Sequence, residues 1–421
     1  MKLAPGEPLH VLLHTGGNAA MSAERPVARV AMAQGLAQLE WDSQTVSEQL
    51  ALSPLLYPPE AGLHAARGRD FDGLHGFLAD CLPEGWGELL MRRKLSRMGF
   101  DMGNLSALDR LALVGRQGRG ALLFEPATTP EDTDNPIDLD ALAEEARLIL
   151  AGEEGNLADT LAALGGASGG ARPKVHVGFD SNGGLSIGRG ELPGDHEAWI
   201  VKFRATADPI DIGPIEMAYA DMAKAAGISM SPCRLMPSNE GPGWFATRRF
   251  DRPAMHQRLH MVSLAGAIEA PPQVAGAVDY DMFLRATRAI TRNEKDVEEA
   301  FRRMTFNVLA GNRDDHTRQH AYLMGEGGVW RLAPAYDLTF SRGPGGEHYL
   351  AVAGEGRDPT RAHVERVGKD HSIAQARINE IIEQAQAAIG SWDERARHWG
   401  TGSSSRKEIG DRLNAIAQTF N

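Results

Sequence analysis

Residues 311–320 read Gly311-Asn312-Arg313-Asp314-Asp315-His316-Thr317-Arg318-Gln319-His320. This is the densest polar cluster in the chain. Just upstream, Asn293 can cap a helix that carries Val297, Phe301, Met304, Val308 and Leu309 on one face. Just downstream, 321–324 and 329–332 read as a strand pair. The cluster is therefore expected to be a loop between a helix and a strand. From about residue 279 the chain reads as mainly helical, closing with long helices over 373–392 and 407–420.

Further upstream the pattern becomes strand-rich. Strands are expected at 175–179, 197–203 and 244–250, with a Ser181-Asn182-Gly183-Gly184 turn and a further strand near 185–188. A short helix over 215–226 is closed by Gly227. Before these lies a glycine-rich segment, 165–174, preceded by helical pattern over 139–164 that Gly152 and Gly155 split in two. Residues 126–136, Pro-Ala-Thr-Thr-Pro-Glu-Asp-Thr-Asp-Asn-Pro, have no apolar period and read as a linker. The N-terminal part opens with strands at 9–14, 27–32 and 36–41, the first followed by a Gly16-Gly17-Asn18 turn. Helical spacing starts near Leu74, is interrupted by Pro83-Glu84-Gly85, and resumes over 86–98. No internal repeat is visible. A strand-rich lobe before a helical lobe is, by analogy of layout alone, that of a two-lobed ATP-dependent phosphotransferase.

The chain has 421 residues, with 44 Lys+Arg against 56 Asp+Glu and a formal net charge of −12. That length suits two or three folded units. The acidic balance argues against a chain that coats nucleic acid by its overall charge, because phosphate binding needs clustered cations. It leaves room for a local basic pocket. Cys81 and Cys233 are the two cysteines, without CxxC spacing, which fits a reducing compartment and offers no zinc framework. The apolar run at 9–13 is short for a signal segment, and no stretch approaches a membrane span. A soluble cytoplasmic protein with no membrane partner is expected.

Several residues could carry chemistry. Phosphoryl transfer needs an acid to orient the acceptor hydroxyl and oxygen ligands for Mg²⁺, typically from two loops flanking a hairpin. Asp314 and Gln319 stand five apart, the spacing of the catalytic Asp and metal-binding Asn in protein kinases. Asp337, in Pro334-Ala335-Tyr336-Asp337-Leu338, follows the strand pair. The alternative is a solvated polar turn. Lys202 sits in the apolar run Trp199-Ile200-Val201-Lys202-Phe203, where burying an ammonium is costly unless it is paired. Glu216, 14 residues on, is the natural partner; the alternative is a snorkelling edge lysine.

The 165–174 segment offers glycine N–H groups, Arg172 and Lys174 to an anion. It lacks the Walker ending. It also contains Gly166-Ala167-Ser168-Gly169-Gly170, which matches G-x-S-x-G, but a helix precedes it and a strand follows, the reverse of a nucleophile elbow. His316 and His320 are four apart, yet their flanks do not read as a helix and no metalloprotease Glu accompanies them.

At these residues the sequence resembles the HipA family of serine/threonine kinases, the toxin halves of bacterial type II toxin–antitoxin pairs. The N-terminal likeness rests on Phe77-Leu78-Ala79-Asp80-Cys81-Leu82-Pro83-Glu84-Gly85 and Gly120-Ala121-Leu122-Leu123-Phe124-Glu125-Pro126. The catalytic likeness rests on Gly169-Gly170-Ala171-Arg172-Pro173-Lys174, Ile200-Val201-Lys202-Phe203, Arg249-Phe250-Asp251-Arg252, residues 311–316 and Leu332-Ala333-Pro334-Ala335-Tyr336-Asp337-Leu338. The order of these strings is more specific than any one of them.

The resemblance implies an α+β, two-lobed, protein-kinase-like fold with an N-terminal β-containing subdomain and a mainly helical C-terminal lobe. It implies segments 1–130, 131–252 (the ATP-binding part) and 253–421. It also implies roles: Asp314 as the catalytic Asp, Asp337 and Gln319 on Mg²⁺, and Lys202 with Glu216 on the ATP phosphates. Gly169, Gly170, Arg172 and Lys174 would form the phosphate-side loop, and Arg248 and Phe250 would hold adenine through their backbone. Ser168 is the candidate for autophosphorylation. There are three departures. Gln319 stands where relatives carry Asn, and Asp315 could share its work. Ser168 lies about one position out of register. Met261-Val262-Ser263 stands where many relatives are acidic, which suggests a divergent subgroup.

The expected activity is an ATP- and Mg²⁺-dependent protein Ser/Thr kinase acting on a translation-related protein such as an aminoacyl-tRNA synthetase. Its expected partner is a small helix-turn-helix antitoxin, with DNA contacted only through that partner. Arg172, Lys174, Lys202, Arg248 and Arg249 are expected to converge on one polyphosphate. The alternative reading is a nucleotide-binding pseudokinase that acts through partner binding.

Overall fold

A computed structural model describes residues 2–421 apart from 4–6, 15, 17–23, 129–137, 154, 156, 166–169, 187–191 and 255. Ser168, Gly169 and most of the expected linker lie outside the described residues. The fold is α+β. The first sheet has five antiparallel strands: β1 (Leu9–His14), β2 (Glu24–Ala33), β3 (Leu36–Trp41), β4 (Leu63–Ala65) and β5 (Leu122–Glu125), in the order β4-β3-β2-β1-β5. Alternation explains the central strands. Ala28, Val30, Ala37 and Leu39 are buried while Arg29 and Glu40 between them reach solvent, where they form an ion pair. The helical signal near Leu74 gives only a four-residue turn, Gly76–Ala79, before Pro83. It resumes as α1, Trp86–Arg97.

The second sheet contains β6 (Lys174–Phe179), β7 (Leu185–Ser186), β8 (Glu197–Lys202), β9 (Cys233–Met236) and β10 (Trp244–Arg248), ordered β7-β6-β8-β10-β9. The third joins β11 (His260–Ser263) to the expected pair β12 (Ala321–Met324) and β13 (Trp330–Leu332). Helices follow the sequence pattern closely. α2 (Ile212–Ala225) starts three residues before the expected helix, α3 spans Tyr280–Thr291 and α4 spans Glu294–Ala310. The expected closing helices appear as Gln375–Gly390 and Ser403–Phe420, with Arg361–Asp370 as an unforeseen helix before them.

By contact density the chain falls into two units. One comprises 1–208, 246–262 and 323–328; the other comprises 209–245, 263–322 and 329–421. In the second unit, α4 begins at Asn293, whose side chain accepts from the Lys295 N–H. Its stripe of Val297, Phe301, Met304, Val308 and Leu309 is wholly buried, each side chain contributing about 2 kcal/mol. Gly311 ends it with φ +63°, and a Cβ there would meet Ile416 at 3.0 Å and Phe340 at 3.2 Å. The tight turn thus needs glycine, and it delivers the chain into the polar loop. Among the described residues, no helix is long and apolar enough to cross a membrane.

Candidate active site

In the second unit, the 311–320 loop hangs between α4 and β12, as its sequence pattern implies. Asp314 presents a half-exposed side chain, with His316 Nε2 3.8 Å from its carboxylate. The next residue behaves differently. Asp315 is fully buried and accepts from the Tyr280 hydroxyl at 2.6 Å, His348 Nδ1 at 2.8 Å and the Tyr349 N–H at 2.8 Å. Burial opposes its charge, but the neighbouring His348 and these donors hold its carboxyl below the usual carboxylate range. Both oxygens are engaged, so the expectation that Asp315 shares metal binding with Gln319 is corrected.

Residues 317–319 form a 3-10 turn, with His316 accepting from the Arg318 N–H through its ring. This brings Gln319 to Asp337: the amide donates to Asp337 Oδ2 at 3.4 Å. The Tyr336 hydroxyl donates to the Arg318 carbonyl at 2.6 Å, tying the two loops together. Asp337 has φ +56°, a left-handed conformation that a non-glycine residue adopts only when its surroundings impose it. Amide rotation exchanges the nitrogen and oxygen of Gln319, so the pair can offer a carboxylate and a neutral carbonyl oxygen. That hard-oxygen donor set fits Mg²⁺. His320 does not join the site; burial pushes its imidazole down to about 3, and it stacks on Phe283 at 4.0 Å.

In the first unit, Lys174 and Lys202 are partners in the β6–β8 register, and both are buried. Like charges directly opposite each other on a sheet are unfavourable. The Lys174 ammonium lies over Gly170, 3.0 Å from where a Cβ would stand. Arg172 pairs with Asp208 at 3.1 Å. Glu216 is buried in the first half of α2.

The remaining expected cations go elsewhere. Arg248 pairs with Glu197 at 3.2 Å, and Arg249 is bidentate to Asp251 at 2.8 and 3.0 Å. The five cations therefore do not all converge. Arg248 and Arg249 line a cavity of about 140 Å³ with His14, His176, Arg252 and Arg258. Asp251 anchors its wall. Burial opposes its charge, but Arg249 and Arg252, with the Gly120 N–H at 2.9 Å, hold its carboxyl well below the usual range.

Two models of protein families match. The HipA N-terminal domain matches residues 19–125, and the HipA-like C-terminal domain matches 166–392. The chain belongs to the HipA family. Among curated proteins, one described as "Putative kinase Y4mE" from Sinorhizobium fredii is 27% identical over 288 residues, covering 62% of this chain. The aligned stretch takes in 63% of that protein's length. Among solved structures, HipA in the Shewanella oneidensis MR-1 complex of HipA, HipB and operator DNA superposes with a TM-score of 0.68. It covers 98% of this chain and 97% of that one at 16% identity. At that identity the likeness establishes a shared HipA fold.

Sequence reading missed Tyr280, Asn307, His348 and Tyr349, which surround Asp315. They come from three separate stretches, so no local pattern announces them. Asp251 had a local signal: it stands two residues from Arg249 in the sequence, beside Arg252.

Proposed function

We propose that this HipA-family chain is an ATP- and Mg²⁺-dependent protein Ser/Thr kinase and the toxin of a type II toxin–antitoxin module. The observation that carries this reading is the Gln319–Asp337 pair held beside the loop that exposes Asp314. The acceptor hydroxyl oxygen attacks the γ-phosphorus, the bond to the ADP oxygen breaks, and the hydroxyl proton passes late to Asp314. Asp337 and Gln319 would hold Mg²⁺, which would supply charge neutralisation on the phosphates. Lys202, positioned by Glu216, takes the α/β charge, with Gly169, Gly170, Arg172 and Lys174 on the phosphate side. The Lys174–Lys202 register supports this by setting two cations side by side on the phosphate side. Arg248 and Phe250 hold adenine through their backbone, and Ser168 is the autophosphorylation candidate. Most of the rate then comes from positioning and electrostatics.

The proposed segments are 1–130, 131–252 and 253–421. The partner is a small helix-turn-helix antitoxin that alone contacts DNA, and the target is a translation protein such as an aminoacyl-tRNA synthetase, met in the cytoplasm. The matched complex of HipA with HipB and DNA supports the antitoxin assignment. Transfer of labelled γ-phosphate is the test. Asp314→Asn and Asp337→Ala should each abolish it; retention in both would overturn the assignment. Gln319 favours one second reading, a pseudokinase acting by association. If wild type binds ATP without transfer and Gln319→Asn gains transfer, that reading replaces the first.

A further inference from the structure

The segment after Asp337 is strapped to the 311–316 loop along its length. The Ser341 N–H donates to the Gly311 carbonyl at 3.0 Å, and the Arg313 N–H donates to the Ser341 carbonyl at 3.3 Å. The Arg313 guanidinium donates to the Gly346 carbonyl at 2.6 Å. His348 and the Tyr349 N–H then close on Asp315. Beyond them, the Gly276 N–H donates to the Tyr349 carbonyl at 2.9 Å, and the Tyr280 N–H to the Ala351 carbonyl at 3.0 Å.

Asp315 is the buried carboxylate of this strap, and a buried chain supports it. Asn312 Nδ2 donates to Asn307 Oδ1 at 3.0 Å, Asn307 Nδ2 donates to the Tyr280 hydroxyl at 2.9 Å, and Tyr280 donates to Asp315. The far side of the strap carries Tyr349, whose ring stands edge-on to His316 with centroids 5.4 Å apart. Burial and the nearby Asp314 charge both raise the Tyr349 phenol above its ordinary value.

We propose that Asp315 is a positioning residue: its carboxylate fastens the 311–316 loop to segment 341–352 and so places Tyr349 beside Asp314, where it walls the acceptor side. The catalytic part of this inference rests on the kinase reading. The strap itself does not. Fixing both sides of the loop with one buried anion holds the Asp314 backbone at a position it cannot drift from.

Two measurements test this on the full chain. Amide hydrogen exchange reads the strap without any chemistry. Asp315→Asn and His348→Ala should speed exchange roughly 10-fold or more in 311–316 and 341–352 and leave the core amides of α4 as in wild type. His348→Asn keeps a donor where Nδ1 stood and should restore slow exchange. Phosphoryl transfer reads the consequence. Asp315→Asn and His348→Ala should lower kcat roughly 30-fold or more while KM for ATP stays within about 3-fold, as misplacement of a reacting group does.

Unchanged exchange in Asp315→Asn overturns the proposal. So does unchanged kcat in that variant where Asp314→Asn is inactive, and so does a His348→Asn variant as damaged as His348→Ala. If wild type transfers no phosphate, the kinase reading falls and the exchange result alone decides the strap.

Discussion

Asp251 in the first unit and Asp315 in the second are both buried carboxylates next to residues read as functional, yet they are built in opposite ways. Asp251 gathers two guanidiniums, Arg249 and Arg252, and one backbone N–H. Asp315 gathers a phenol, an imidazole and the backbone N–H groups of Tyr349 and Leu350. The first is an ion cluster, whose members cannot be desolvated without each other. The second is a hydrogen-bond hub, whose donors remain tolerable when one is lost. The difference teaches that burial and residue type do not set what an aspartate contributes; the charge on its donors does.

The largest expected effect breaks the ion cluster. Asp251→Ala leaves two buried guanidiniums without their anion and should cost about 3–5 kcal/mol in chemical denaturation, against 1–3 kcal/mol for losing a neutral buried hydrogen-bond partner. An effect below 1 kcal/mol would erase the contrast. Its pH signature has a definite sign. The folded carboxyl of Asp251 lies below its unfolded value near 4, so the unfolded chain takes up the proton first. This contribution is full above about pH 4 and is lost as pH falls below it.

A middle-sized effect concerns His320, in the same unit as Asp315. Its imidazole stays neutral down to about 3, while the unfolded chain protonates it near 6.5. Stability should therefore fall from about pH 6.5 downward, at up to about 1.4 kcal/mol per pH unit for this one proton. His320→Leu should flatten that slope in denaturation curves taken between pH 6.5 and 4; an unchanged slope would assign it to other groups. The smallest effect is at the hub. Tyr280→Phe removes one of four donors to Asp315 and should cost about 1 kcal/mol by the same measurement. A loss comparable to that of Asp251→Ala would mean the hub behaves as a charged cluster after all.

Much of the fold was legible because periodicity is local. Strand β1 follows from its apolar run, β3 from alternation, and the helical pair Leu139–Leu150 and Ala158–Gly165 from glycine placement. The polar loop at 311–320 falls where a helix cap and a strand pair bracket it. The candidate site was legible in its exposed members, Asp314, Gln319 and Asp337, since their spacing is a chemical pattern. The buried members were not. Asp315 draws its partners from residues 280, 348 and 349, and only tertiary packing brings these together. β11 was missed for the same reason: its register is set by β12, some sixty residues away. The convergence expected of Arg248 and Arg249 failed because Glu197 and Asp251 claim them first, and a tally of cations cannot register which anions stand nearer.

Gly85, at the start of α1, has φ +52°, and a Cβ there would stand 2.5 Å from the Gly170 carbonyl oxygen. The Trp86 N–H donates to that same oxygen at 2.9 Å, and its indole donates to the Lys174 carbonyl at 3.1 Å. Residues 170–174 are thus latched at both ends by one turn of a helix from the N-terminal region. Such a latch makes the two surfaces a single thermodynamic switch. On the proposed reading that Gly170–Lys174 holds a phosphate, whatever grips α1 and shifts its first turn would change that affinity by some factor, and the phosphate would change the grip on α1 by the same factor.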